Sequence, residues 1–216
     1  APAPSATAST AALDTSPPKP PLVTVDDTGV VVSGDKVTFG GDARGRIAGM
    51  LSSKPLVSGQ TLEVDALRDT TMAHFSVAIE ALRDAKVKDA MVKTAKRDLS
   101  MGTLHVAIEH VPPPACAAVG MVAKDNSIEV WPYGGAVAQR FTHGFAGPDI
   151  TLGSAALAKR ADECSAPFDL VAGDDAIKWG VVFDLALATA QAAPAKAASA
   201  VVLTKAPVPG RKVTED

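Results

Sequence analysis

The stretch TLEVDALRDTTMAHFSVAIEALRDAKVKDAMVKT, residues 61–94, decides the fold of this chain. Its first five residues alternate between polar and apolar side chains, as a half-buried strand does. A capping cluster follows at 69–71, and apolar residues then recur on one face of a helix predicted over 72–88, namely Phe75, Ile79 and Leu82. The last five residues predict a second strand. We therefore expect a right-handed crossover that places both strands in one sheet.

Upstream residues predict a hairpin and a further helix. Val-rich runs at 22–25, 29–32 and 36–39 flank a Ser33-Gly34-Asp35 turn. Residues 42–53 place apolar side chains at helical spacing. One more strand is possible over Leu104 to Ile108, just before the proline run at 112–114.

After the proline run the same order of elements is predicted again. Residues 127–131, 168–172 and 200–204 are strand-like, and residues 151–164 predict a helix. Asp174-Asp175 are then expected to cap another helix. An offset of 105 residues carries Asp69 to Asp174 and Val77 to Val182, which indicates an internal duplication.

The expected fold class is α/β (α+β), with two repeated β-(β)-α-β-α-β units, each a small sheet covered on one face by two helices. We expect residues 1–21 to form a disordered Pro/Ala/Ser-rich tether, 22–111 the first unit, 115–206 the second unit and 207–216 a loose tail. The units either pack open face to open face or pair edge strands into one longer sheet. Either arrangement makes the duplication a built-in dimer.

Composition and charge narrow the function classes. The net charge of −3 gives no basic face for nucleic acid. Only 4% of residues are aromatic, which argues against a large aromatic-lined ligand pocket. No run reaches the roughly 18 apolar residues needed to cross a bilayer. Because the sequence starts at Ala1, we expect it to follow either a cleaved signal or a removed membrane anchor.

Two cysteines are present, Cys116 and Cys164. In a cytosolic protein they would be read as small buried apolar residues. In an envelope compartment they can form one disulfide, which is the pairing we expect here. Neither has a CxxC neighbour, so zinc and redox roles are not indicated.

The first half of the chain resembles the periplasmic domain of the ExbD/TolR family of biopolymer-transport proteins. The residues that carry the resemblance are the opening hairpin at 28–37, the strand and acidic turn Leu62 to Asp69, the helix 71–85 and the short strand Met91-Val92-Lys93-Thr94. In the second half the resemblance rests mainly on the internal repeat. Family members carry one such domain behind a single membrane helix, whereas this sequence has two domains and lacks the helix.

The resemblance implies a periplasmic, non-catalytic arm of a complex driven by proton-motive force, tethered to the inner membrane by a removed N-terminal segment. It implies ExbB/TolQ-like membrane subunits, a TonB/TolA-like or peptidoglycan partner, and a homo-oligomer. No cofactor is expected. The alternatives are a secreted or lipid-anchored envelope binding module without a motor role and, less favoured, an enzyme of unrecognised type.

Several residues are candidates for partner binding. The acids Asp65, Asp69, Asp174 and Asp175 either contact a partner or cap helices, and capping is the simpler interpretation. Lys93 belongs to a basic stretch that either contacts an envelope surface or is a solvated, charged strand edge. The aromatic residues Trp131 and Tyr133 either anchor a binding loop or cover the open sheet face.

Motifs for catalysis and metal binding are weak. Ser33-Gly34-Asp35-Lys36 matches SxxK, but a hairpin turn is the wrong setting for an acyl-enzyme serine. His105 and His110 are five residues apart and lie on opposite faces of a strand, and no HExxH is present. We therefore predict no metal site and no catalytic residue.

Overall fold

The structure, a computed structural model, describes residues 19–144, 147–192 and 199–215. The tether expected over 1–21 lies almost wholly outside these residues. The strands are β1 (Val23–Val25), β2 (Gly29–Val32), β3 (Asp35–Thr38), β4 (Thr61–Ala66), β5 (Asp89–Ala95), β6 (Met101–Ala107), β7 (Ala118–Val122), β8 (Ile128–Pro132), β9 (Gln139–Phe141), β10 (Asp169–Gly173) and β11 (Ala200–Val202). The helices are α1 (Ala43–Ser52), α2 (Met72–Asp84), α3 (Ile150–Asp162) and α4 (Trp179–Ala192).

All of these strands join one 11-stranded sheet in the order β3-β2-β1-β4-β5-β6-β11-β10-β7-β8-β9. The expected crossover is present, because β4 and β5 are parallel neighbours in register from Thr61↔Asp89 to Asp65↔Lys93. Between the two halves of the chain lies β6, antiparallel to β5 and parallel to β11. Of the two arrangements expected, the single longer sheet is therefore the one observed, and two separate small sheets are not formed.

The four helices share one face of the sheet. Their buried side chains belong to one apolar cluster that also takes in alternate residues of the strands, such as Val171 of β10. A second cluster contains Leu170 and Ala172 of the same strand and no helical residue. Successive strand residues point to opposite faces, so this second cluster lies on the helix-free face of the second half.

The strands β7, β10 and β11 are buried at every residue, so they lack the alternation of a half-exposed strand such as β5. β10 and β11 were nevertheless predicted from their apolar runs. β7 was missed because Gly120 interrupts its short apolar run, and glycine weakens a strand signal. The edge strand β9, only three residues long, was missed as well.

Residues 207–215, which we name the strap, correct another expectation. A loose tail was predicted because the segment is polar, but Val213 of the strap is only 3% exposed and joins the second apolar cluster. The indole Nε1 of Trp131 donates to the Arg211 carbonyl at 3.0 Å. The strap is held by one apolar side chain and by hydrogen bonds to its backbone, so the polarity of its sequence did not predict whether it packs on the fold.

Helix starts are set by caps. Asp42 and Asp149 accept hydrogen bonds from the first turns of α1 and α3. Thr71, not Asp69, caps α2 through its hydroxyl, which accepts from the His74 amide at 3.4 Å. The expected helix over 72–88 ends earlier, at Asp84, because the chain turns at Lys86 with a positive φ of 60°.

Candidate functional site

The turns that precede α2 and α4 lie side by side and form the junction of the two halves. Residues 68–73 and 175–180 exchange backbone hydrogen bonds of 2.7–3.2 Å, and Thr71 and Lys178 form an antiparallel bridge. The first amides of a helix have no partner within the helix. Here the Met72 amide donates to the Ile177 carbonyl and the Trp179 amide to the Thr70 carbonyl, so each turn satisfies the helix start of the other.

Side chains tighten this junction. Arg68 donates through both terminal nitrogens to the two carboxylate oxygens of Asp184, at 3.0 and 2.5 Å. Phe75 and Trp179 stack with centroids 3.8 Å apart. A Cβ at Gly180 would lie 2.1 Å from Cγ of Arg68, so the close approach requires glycine at this position.

The carboxylates of the predicted acids at the two turns lie close in sequence to these contacts but do not make them, and of these acids only Asp175 contributes, through its backbone carbonyl. Asp69 is exposed, and after Asp184 it is a smaller contributor to the raised pKa of Arg68. Asp174 accepts from the Ala176 amide at 3.2 Å and closes a turn several residues before α4 begins at Trp179. Asp175 is exposed, and its carbonyl accepts from Ala73. The capping interpretation is therefore wrong for Asp69, and Asp174 stabilises a turn.

A histidine–carboxylate pair borders the junction, and no local sequence pattern predicted it. Asp27, in the loop after β1, accepts from the Thr71 amide, from the Thr71 hydroxyl and from the ring of His74 at 2.9 Å. These bonds, chiefly the one from the Thr71 amide, lower the pKa of Asp27 to about 2. Phe39 stacks on His74 with centroids 4.3 Å apart.

This pair can orient an imidazole, as a general-base pair does. The side chains are nevertheless 36% exposed for His74 and 48% exposed for Asp27. Proton transfer gains most in a site that excludes water. The geometry therefore favours a positioning role for the Asp27 carboxylate, which ties the β1–β2 loop to the start of α2.

Asp65 and Lys93 lie opposite each other on the helix-free face of the first half. The Lys93 ammonium donates to Glu63 at 2.8 Å, and this contact, followed by the charge of Asp65, raises the pKa of Lys93. Both partners are well exposed. These residues form a charged, solvated surface without a concave feature of their own.

Trp131 and Tyr133, predicted as a pair, have different environments. Trp131 is fully buried under the strap, so it covers the sheet and is not an exposed anchor. Tyr133 is half-buried and its hydroxyl is hydrogen-bonded to Glu215. Burial and the Glu215 carboxylate both raise the pKa of Tyr133.

Tyr133 lines an open cleft of about 410 Å³. The cleft lies beside the carboxyl end of β6 and the end of α2, and a smaller cavity beside it shares Arg83 and Glu215 and includes Lys205. It is lined by Arg83, Lys86, Ile108, Glu109, His110, Pro112, Tyr133 and Glu215. No local motif could have revealed it, because the strap brings in Glu215 from the far end of the sequence.

His110 is a largely buried ionisable residue of this cleft. It is only 8% exposed, its Nε2 lies 2.5 Å from the Glu215 carboxylate, and its ring packs edge-on against Phe168. Its Nδ1 is buried and has no hydrogen-bond partner among the described residues. Buried polar atoms are normally paired, so this atom marks an incompletely satisfied site.

Two further buried acids lie in the second half. Asp169, at the start of β10, is 6% exposed, and its Oδ2 has no partner within the described part of the chain. Burial, followed by repulsion from Asp162, raises the pKa of Asp169 to about 6. Burial also raises the pKa of Glu129, although Arg140 lies 3.4 Å away.

The expected disulfide is present between Cys116 and Cys164, with Cα atoms 5.7 Å apart. It ties the segment before β7 to a position two residues after the end of α3. This covalent link fixes the helix layer of the second half to the start of its sheet.

No family model matches the chain, and no curated protein and no solved structure is significantly similar to it. Within the described ranges no helix has both the length and the apolar character that a membrane crossing requires. The same ranges contain no group of three potential metal ligands. Function is therefore inferred from the geometry and from the sequence resemblance.

Proposed function

We propose that this chain consists of two fused ExbD/TolR-like units and serves as the periplasmic, non-catalytic arm of an envelope complex driven by proton-motive force. In this proposal it acts by self-association and by binding a TonB/TolA-like or peptidoglycan partner. ExbB/TolQ-like membrane subunits supply the proton path. The chain itself transmits a conformational change and turns over no substrate.

One observation carries the duplication. The first half follows the strand order β3-β2-β1-β4-β5, and the second half follows β9-β8-β7-β10-β11. In each half an antiparallel hairpin comes first, and two parallel strands follow with helices between them. Matching pairings in matching order support descent of both halves from one unit.

The correspondence also refines the sequence offset. The ends of β4 and β10 (Ala66 and Gly173) and the starts of α2 and α4 (Met72 and Trp179) each lie 107 residues apart. An offset of 107 pairs Asp69 with Ala176, where the offset of 105 paired it with Asp174. The two acidic turns then correspond as loops, while their individual acids do not.

The disulfide supports an envelope location, because such bonds form and persist in oxidising compartments and are rare in the cytosol. Binding as the mode of action is supported by the exposed position of the His74–Asp27 pair and by the charged surface around Lys93. A secreted or lipid-anchored binding module without a motor role is the alternative, and it shares the disulfide and the cleft.

The deciding experiment isolates the native protein from its own cells through a tag placed after Asp216. We expect it in the inner-membrane fraction, preceded by a segment of about 20 apolar residues, and co-purifying with proton-conducting membrane subunits after cross-linking. Recovery from the soluble periplasm, with Ala1 as the mature first residue and no membrane partner, would exclude the motor role. That result would leave the alternative module.

A further inference from the structure

The strap docks on the helix-free face with the pattern of a bound peptide. The backbone carbonyl of Arg211 and the side chains of Val213 and Glu215 contact the protein, while Lys212 and Thr214 are exposed. The Arg211 carbonyl accepts from Trp131, and the Val213 amide donates to the Tyr133 carbonyl at 2.9 Å. A period of two is the signature of an extended segment recognised through its backbone and alternate side chains.

Each inward-facing side chain of the strap occupies its own contact site on the protein, which we call its seat. Val213 enters the second apolar cluster and is 3% exposed. Two residues later, the Glu215 carboxylate is held by His110 and by the Tyr133 hydroxyl. The seat for the carboxylate is fixed by the rest of the fold, because the His110 side chain is 8% exposed and packs on Phe168.

The charges around the seat suit an anionic group. Arg83 and Lys86 line the cleft with Glu215, and Lys205 lines the adjoining cavity. The remaining acid in the cleft lining is Glu109. When the Glu215 carboxylate is withdrawn, the two cations of the cleft lining, Arg83 and Lys86, face a single acid, and the buried Nδ1 of His110 still lacks a partner among the described residues. The site then carries excess positive charge, which the binding of another carboxylate neutralises.

We propose that this groove is a peptide-binding site and that the strap occupies it as a tethered internal ligand. The external ligand is an extended segment of a partner protein that carries an apolar residue followed, two positions later, by an Asp or Glu. It displaces the strap and reuses the backbone bond to Tyr133 and the carboxylate seat at His110. This proposal does not depend on a motor role.

A tethered competitor lowers the apparent affinity by the fraction of molecules whose groove is open. Removing the Glu215 carboxylate weakens the competitor and leaves the Val213 anchor in place. We therefore compare the full chain with its Glu215→Gln variant. The probe is a fluorescein-labelled peptide with the sequence of residues 209–215, PGRKVTE, and the readout is fluorescence anisotropy.

We expect the peptide to bind Glu215→Gln at least tenfold more tightly than it binds the unmodified chain. On the variant, a peptide with Gln in place of its Glu should bind at least tenfold more weakly, and so should one with Ser in place of its Val. Adding His110→Ala or Arg83→Ala to Glu215→Gln should abolish the gain. The matched control, Glu163→Gln, removes an exposed carboxylate at the end of α3 and should behave as the unmodified chain.

Near-ultraviolet circular dichroism of Trp131 and Trp179 verifies that each variant is folded. Equal dissociation constants for the unmodified chain and Glu215→Gln overturn the proposal, as does equal binding of the Glu and Gln peptides. Both results are independent of whether the native protein co-purifies with membrane subunits. Failure of the groove and failure of the motor role can thus be told apart.

Discussion

Phe75 of α2 and Trp179 of α4 stack with ring centroids 3.8 Å apart, and the Trp179 Nε1 donates to the Thr94 hydroxyl of β5 at 2.9 Å. All three residues are buried. The stack and the hydrogen bond connect the β4–α2–β5 crossover of the first half to α4 of the second half. Stability of the two halves is therefore coupled through this contact.

Trp179→Ala should destabilise the whole chain by about 3–5 kcal/mol, because it removes a fully buried aromatic side chain and leaves a cavity. Trp179→Phe retains most of the packing and should cost clearly less, mainly through the loss of the bond to Thr94. Urea unfolding followed by circular dichroism measures both. Two separate transitions in the unmodified chain would contradict the coupling of the halves.

The Arg68–Asp184 ion pair should contribute a coupling energy of roughly 1–3 kcal/mol, since both side chains are partly buried and the contact uses two hydrogen bonds. A double-mutant cycle with Arg68→Ala and Asp184→Ala measures it. The exposed Glu63–Lys93 pair provides the comparison and should give about 0.2–1 kcal/mol. Equal coupling energies for the two pairs would count against a structural role for Arg68.

Reduction of the disulfide should lower the free energy of unfolding by about 4 kcal/mol in the chain-entropy model, because the bond joins residues 48 positions apart. The measurement is urea unfolding with and without dithiothreitol. A Cys116→Ser/Cys164→Ser double variant should match the reduced protein and show no further response to the reductant. A response in that variant would mean that the reductant acts elsewhere.

Asp169 predicts a pH dependence of stability. Its pKa is raised to about 6 in the folded chain, above the unfolded value of 3.8. Between these values the folded state holds the proton more tightly, so stability falls as the pH rises from about 4 to 6. Relative to the unmodified chain, Asp169→Asn should gain up to about 3 kcal/mol between pH 4 and pH 7. Urea unfolding at both pH values tests this, and a pH-independent difference would exclude it.

Gly135→Ala should detach the strap. Gly135 has a φ of 88°, and a Cβ there would lie 2.7 Å from the backbone nitrogen of Lys212. The φ strain alone costs about 1–3 kcal/mol. Trypsin should cleave after Arg211 and Lys212 faster in this variant. In the control, Gly59→Ala, φ is also positive but the surrounding space is open, so its strap should be cleaved at the normal rate.

Segments with a periodic pattern of apolar residues could be predicted from the sequence, whereas segments placed by contacts with distant residues could not. The alternation of β4 and the helical spacing of Phe75, Ile79 and Leu82 reflect one buried face, so both elements were found close to their observed bounds. β7 and the strap carry no such pattern, because their positions depend on residues far away in sequence. Likewise β6 was expected as a possible extra strand over 104–108 and is found over Met101–Ala107, between the two halves of the sheet.

In the candidate site, too, some features could be predicted from the sequence and others depend on residues that are distant in it. The cysteine pairing was predicted from the count of two cysteines and the expected envelope location, whereas the individual acids were selected for capping roles that Thr71 and the backbone carbonyls fulfil. His110 and Glu215 are 105 residues apart and meet only because the strap crosses the helix-free face. Nothing in the local sequence of either residue indicates the other.

The central position of β6 has a directional consequence. The strands β1, β4 and β5 run the same way, and β6 runs antiparallel to β5. The His74–Asp27 pair follows the carboxyl ends of β1 and β4, whereas the His110 cleft lies at the carboxyl end of β6. The two features therefore lie at opposite ends of the first-half strands, about one strand length or on the order of 20 Å apart. Two partners bound there would be held facing apart, as by a connector with one socket at each end.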